Sequence, residues 1–181
     1  VAATPGIAAS LREGLGPDVD VVLDEVAIPG PPTSITLRAA GWAEGVVLRH
    51  ALGLSGAGDG LDGDWVVGRG GGRAAAAVGA DGTISIRVRA GEPLDEIVLR
   101  SYCIGAAHMA ASWVTSEAIT VDAEGAALDL TIRSLGILRA IDTPPIDVVI
   151  EDVDGPPVNV SDAVFAAPAA AVWAHQGYPP V

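Results

Sequence analysis

The stretch that decides the fold is AAAAVGADGTISIRV, residues 74–88. Ala74 to Val78 and the alternating Ile84, Ile86 and Val88 flank Asp81-Gly82, a dipeptide suited to the left-handed backbone of a tight turn. One apolar face and one polar face follow from the alternation, so the two runs read as a β-hairpin. C-terminal to it, residues 93–100 (PLDEIVLR) read as a short helix or an extended link. Gly105 to Val114 (GAAHMAASWV) reads as a helix of small residues that lets neighbours approach closely. Ile119 to Val121, a turn at Asp122 to Gly125, and Leu128 to Ile132 predict a second hairpin. Ile146 to Ile150 predicts a further strand, and Asp162 to Trp173 a closing helix interrupted or kinked at Pro168.

N-terminal to the hairpin, Ile7, Leu11 and Leu15 recur at helical spacing, and Gly16-Pro17 stops that helix. Val19, Val21 and Leu23 alternate and predict a half-buried strand. A rigid Pro29-Gly30-Pro31-Pro32 loop precedes Thr33 or Ser34 as a cap. Residues 35–54, with Leu37, Trp42, Val46, Leu48 and Leu52, predict a second helix. Residues 55–63 form a connector, Trp65 to Val67 start a strand, and Gly68 to Arg73 form a glycine-rich patch. Mixed helices and hairpins predict an α+β fold, antiparallel hairpins packed with helices, in one domain over residues 1–181.

The chain has 181 residues, of which 50% are apolar, and one cysteine, Cys103. The apolar content excludes a disordered tail, and a lone thiol excludes a disulfide scaffold. Ten basic residues, all arginine, face 23 acidic ones for a net charge of −13. Nucleic acid and anionic membrane surfaces are poor partners for that balance. No stretch is long and apolar enough for a membrane span, and VAATPGIAAS has no basic leader. The expected location is the cytoplasm. Because residue 1 is Val, the chain is expected to be processed or cut from something longer.

Familiar chemical motifs are missing: no CxxC, HExxH, GxxxxGK[ST] or GxSxG occurs. His50, His108 and His175 lie far apart, so no metal site is expected. Cys103 precedes an apolar run and reads as a buried, inert thiol. The glycine run at 68–72, with Arg69 and Arg73, reads as a turn, or as a cradle whose N–H groups hold phosphate.

The run SYCIGAAHMAASWVTSEAITVDAEGAALDLTIRSLGILRAIDTPPIDVVIED, residues 101–152, resembles the C-terminal molybdopterin-binding region of the molybdenum hydroxylase large subunit, the xanthine dehydrogenase and aldehyde oxidase family. In that family a helix of the form EGxxxQGxG leads to an acidic turn, a strand, and a D-x-PP-[IV] segment. Gly105, Trp113 and Ser116-Glu117 match the helix and its end, Asp122 and Gly125 the turn, and Asp142 to Ile146 the link. PPVNVSDAVFAAPAAAVW, residues 156–173, stands at the family's G-x-G-E-P-P loop and closing helix. The match is close over 64–181 and loose over 1–63, where Pro32 to Thr36 resembles a serine-rich, pterin-holding segment.

The resemblance implies a C-terminal domain or small subunit of an oxidoreductase that helps to hold a molybdenum–molybdopterin cofactor, plain or as the cytosine dinucleotide. Ser34, Thr36, Gly105, Met109 and Asn159 would line the cofactor, and Ser161 takes the catalytic position. Iron–sulfur clusters and FAD would sit in partner subunits, since one cysteine holds no cluster. Implied partners are a larger molybdopterin-binding subunit or a missing N-terminal part, an iron–sulfur subunit, and a second copy docking through helices near 35–54 or 105–114. Three positions depart from the family. Ser161 stands where a glutamate acts as base, Met109 where a glutamine offers an amide, and Thr4-Pro5-Gly6 where a GQG loop donates N–H groups. The chain alone is therefore not expected to turn over substrate. A non-catalytic structural or assembly subunit derived from the same family is the alternative, and an unrelated α+β ligand-binding domain the third reading.

Overall fold

The computed structural model describes residues 6–27, 36–54, 61–62, 65–120, 122–124, 126, 128 and 131–178, with 36–40 and 61–62 described by backbone alone. The loop at 29–32, the caps Thr33 and Ser34, the connector at 55–60 and Thr4-Pro5 lie outside the described residues.

The order is α1 (Ile7–Leu15), α2 (Thr36–Ala51), β1 (Leu61–Asp62), β2 (Trp65–Val67), β3 (Arg73–Val78), β4 (Ile84–Arg89), α3 (Glu96–Thr115), β5 (Ile146–Ile150) and α4 (Ser161–His175). Among the described residues five strands form one sheet in the order β1-β2-β3-β4-β5, and with the helices they make a mixed α+β fold. The β3–β4 hairpin has the expected register, with Val78 opposite Ile84 and Arg73 opposite Arg89. Its turn is held by Asp81, whose carboxylate accepts from the Thr83 N–H at 3.0 Å and the Thr83 hydroxyl at 2.9 Å. Gly82 there has φ +84°, the left-handed conformation for which the Asp-Gly dipeptide is suited.

β5 pairs with β4 in parallel, Ile84 opposite Ile146 and Val88 opposite Ile150. A parallel pair needs a crossover, which α3 supplies. Ala74, Ile84, Ile86, Val88 and Val148 face the core, and α3 and α4 cover them with small residues: Ala106, Ala107, Ala110, Ala163, Ala166 and Ala169 are buried. The other sheet face carries Arg87 and Arg89, both stacked over Trp65 at 4.9 and 4.1 Å and both paired with Glu151. One covered face and one polar face match the alternation of β4.

Helix α1 lies against α2 at glycine contacts. A Cβ on Gly14 would meet the Trp42 carbonyl oxygen at 2.1 Å, and one on Gly45 the Leu11 carbonyl at 2.4 Å. Arg49 of α2 is buried and donates to the Leu15 carbonyl at 2.6 Å and to Asp18 at 2.5 Å, closing the end of α1. Trp42 and Val46 of α2 then join the same core cluster as the sheet and α4.

Four local expectations need correction. Val19, Val21 and Leu23 form no strand: none of the five strands pairs with them, and the intervening Val22 is exposed. Alternation alone supplies a face but not an edge to pair with. Among the described residues the second hairpin also lacks strands. Its turn is present, with Asp122 N–H donating to the Ala126 carbonyl and Leu128 N–H to the Thr120 carbonyl, both at 3.0 Å. Helix α3 starts at Glu96, because Asp95 caps it by accepting from the Val98 N–H at 3.0 Å, and so Gly105 is interior. α4 continues through the buried Pro168 without interruption.

Candidate functional site

The closing helix α4 starts where the glycine patch ends. Gly68 N–H donates to the Gly72 carbonyl at 2.8 Å, and Gly72 N–H to the Asn159 carbonyl at 3.1 Å. A Cβ on Gly70 would lie 2.8 Å from the Asn159 carbonyl oxygen, and one on Gly72 2.6 Å from the same atom. The space that a phosphate cradle would leave open is filled by the chain's own loop before α4, so these two glycines serve close packing. Arg69 donates to both carboxylate oxygens of Asp162 at 2.9 and 3.4 Å and lies 5.6 Å over the Trp42 ring. The hydrogen bond to Asp162 raises the Arg69 guanidinium above its ordinary value. The charge beside the patch is therefore spent within the fold.

Asn159 and Ser161 stand together at this helix start. The Asn159 side-chain oxygen accepts from the Ser161 N–H at 2.8 Å, which ties the cap and uses the acceptor. The Ser161 hydroxyl is half-buried and has no hydrogen-bond partner among the described residues. A serine is activated only by an adjacent base, and its neighbouring carboxylate, Asp162, is taken by Arg69. Gly105 and Met109 lie one turn apart on the exposed side of α3. Met109 is 52% exposed, and among the described residues nothing lies within 4 Å of where a Gly105 Cβ would point. Thr36 opens α2, and Ser34 lies outside the described residues. None of the clefts described below is lined by Gly105, Met109, Asn159 or Ser161.

The donor set decides what this surface can hold. Met109 offers no amide, Ser161 no carboxylate and Gly105 no side chain, while the Asn159 oxygen is already bonded. These residues do not fit a reactive molybdenum–pterin centre within this chain. Among the described residues no group of three His, Cys, Asp or Glu could hold a metal ion. His108 Nδ1 is 2.8 Å from the Thr143 hydroxyl oxygen, a contact that fixes the segment before β5. Cys103 is fully buried, and burial pushes its thiol up to about 11.

Two surface features escaped the sequence reading. An apolar groove runs over Pro93, Leu94, Val98 and Tyr102 at the start of α3 and over Pro157 and Val158 before α4. A second cleft gathers Glu44, Val47, Leu48, Trp113, Val114 and Trp173 from three helices. In the second, only the spacing of Glu44 and Leu48 on one helix is visible in sequence; the approach of Trp113 and Trp173 is a product of packing. Among the described residues no helix is long and apolar enough to cross a membrane.

No family model and no curated protein matches the chain. Solved structures do. The crystal structure of quinoline 2-oxidoreductase from Pseudomonas putida 86 matches at 15% identity and a TM-score of 0.47, over 59% of this chain and 16% of that one. The crystal structure of the Cu,Mo-CO dehydrogenase in its carbon monoxide reduced state matches at 15% identity and a TM-score of 0.45, over 56% of this chain and 15% of that one. The chain thus spans less than a fifth of either structure it resembles.

Proposed function

We propose that this chain is a domain or small subunit of a molybdenum-hydroxylase-type assembly that lends surface to a cofactor-bearing partner and contributes no reactive group. The motif pattern of residues 101–173 supports the family, and the observation that carries the role is Gly105. A glycine inside a 20-residue helix costs about 0.5–1 kcal/mol relative to alanine, yet no described residue fills the space beside it. Exposed Tyr102 and Met109 flank it. A close approach from outside the chain would account for that glycine, and a pterin-bearing partner is the occupant the resemblance implies.

The alternative, a scaffold with no cofactor contact, is favoured by the filled glycine patch and by the inward bond of Asn159. Molybdenum and pterin analysis of the assembly purified from its native host separates the two. One cofactor per copy of this chain, with a weaker assembly on Gly105→Ala, supports the first reading. An intact assembly free of molybdenum supports the scaffold, and a chain that purifies with no larger partner overturns both.

A further inference from the structure

We propose that the outward face of α3, with the groove at its start, docks a helix of a partner protein whose apolar stripe is flanked by lysine or arginine; this rests on the assembly role proposed above and gives the partner's surface its chemistry. Between residues 97 and 109 every exposed position of α3 is uncharged: Ile97, Val98, Tyr102, Ile104 and Met109, with Ser101 and Gly105 among them. Ile97 is 81% exposed and Val98 64%. The inner side of the same helix, Cys103, Ala106, Ala107 and Ala110, is buried in the core. A helix apolar on all sides belongs in an interior, and among the described residues only one side of α3 is covered. Arg100, the one permanently charged residue in that span, turns away from the face. It donates to the Val148 carbonyl and, at 2.9 Å, to Glu96.

The occupant follows from what the face offers. The backbone N–H and C=O groups of α3 are bonded within the helix, so an extended strand would gain no main-chain bonds here. A second helix satisfies its own backbone and needs only an apolar stripe. The exposed run from Ile97 to Met109 is about 18 Å long, room for roughly three turns. Gly105, with open space beside it among the described residues, lets two helix axes come close where they cross. At its N-terminal end the face continues into the groove over Leu94, Val98, Tyr102, Pro157 and Val158, where Leu94 is 94% exposed. The rim there is acidic. Glu92, Asp95 and Glu96 are exposed, and Arg100, already paired with Glu96, is the only basic side chain of fixed charge between residues 90 and 110. Cationic residues beside the partner's stripe complement that rim. A second copy of this chain, with its net charge of −13, would bring acid to acid.

Three synthetic helices of about 16 residues provide the test. One has a leucine stripe flanked by lysines, one the same stripe flanked by glutamates, and one the composition of the first with its leucines scattered. Each is titrated into the full chain while backbone amide resonances are followed. The lysine-flanked helix should give saturable shifts confined to residues 93–109 and 157–158, and the other two should bind roughly tenfold more weakly. Val98→Asp should weaken the lysine-flanked helix by the same factor. Should that variant fail to fold, the three peptides on the unaltered chain decide alone. Equal binding of either control, shifts centred elsewhere, or no saturation at about 1 mM overturns the proposal. Self-association in sedimentation that Val98→Asp abolishes also overturns it and assigns the face to a second copy. None of these measurements involves molybdenum, so a native assembly that carries the cofactor while the lysine-flanked helix fails to bind removes this inference and leaves the role above standing.

Discussion

Cys103 is the residue whose environment speaks most directly to reactivity. Burial lifts its thiol from 9.0 to about 11, two decades of lost thiolate. At mildly alkaline pH the folded chain should therefore react with a thiol reagent roughly a hundredfold more slowly than the urea-unfolded chain, before any loss of access is counted. Rapid labelling in native buffer would contradict this. Arg49 is the opposite case, a buried cation that works structurally. Its guanidinium serves both the Leu15 carbonyl and Asp18, so Arg49→Ala should cost roughly 1–3 kcal/mol in urea unfolding. The inertness of Cys103 was legible, since an apolar run follows it in sequence. The role of Arg49 was not, because its partners lie at the end of α1 and in the turn just beyond it, and nothing in the spacing joins them. Of the candidate site residues, the pairing of Asn159 with Ser161 is local, two positions apart, whereas the open side of Gly105 is a property of the packed helix alone.

At the level of elements, two glycines should answer the same substitution with opposite signs. Gly45→Ala drives a methyl into the Leu11 carbonyl and should destabilise by about 1–3 kcal/mol. Gly105→Ala meets open space and should stabilise by about 0.5–1 kcal/mol. Thermal unfolding of the two variants side by side checks the pair, and a loss at both positions would refute the open-face description of α3. Asp95→Ala should cost about 1 kcal/mol by removing the cap of that helix. The periodicities of α1, α2 and the β3–β4 hairpin were readable because each element satisfies itself within a few residues. Val19 to Leu23 carry strand-like alternation but pair with none of the described strands, and alternation does not report that. The start of α3 was misplaced because a run of small residues is more conspicuous than the Asp95-Glu96 cap ten positions earlier.

For the whole molecule, charge sets the acid limit. Hydrogen bonds from arginines hold Asp18, Asp142 and Glu151 below their ordinary values of 3.8, 3.8 and 4.5, and bonds from Thr83 do the same for Asp81. With the folded values below the unfolded ones, their stabilisation is fully present above the unfolded values and is lost as pH falls through the folded ones. All four side chains reach solvent, so each share is small. The urea midpoint should slide downward as pH drops through and below the ordinary carboxylate range, and a flat midpoint there would contradict these pairings. The α+β class was legible from the mixture of helical and alternating runs. The parallel partnership of β5 was not, because strand direction depends on the route the intervening chain takes.

That partnership has a consequence for how the protein is made. Ile84 finds Ile146 only after the whole crossover has been synthesised. Until then β4 presents a bare row of backbone donors and acceptors, an invitation to pair with a neighbouring nascent copy. A message truncated before codon 146 should therefore yield inclusion bodies rather than a smaller soluble protein.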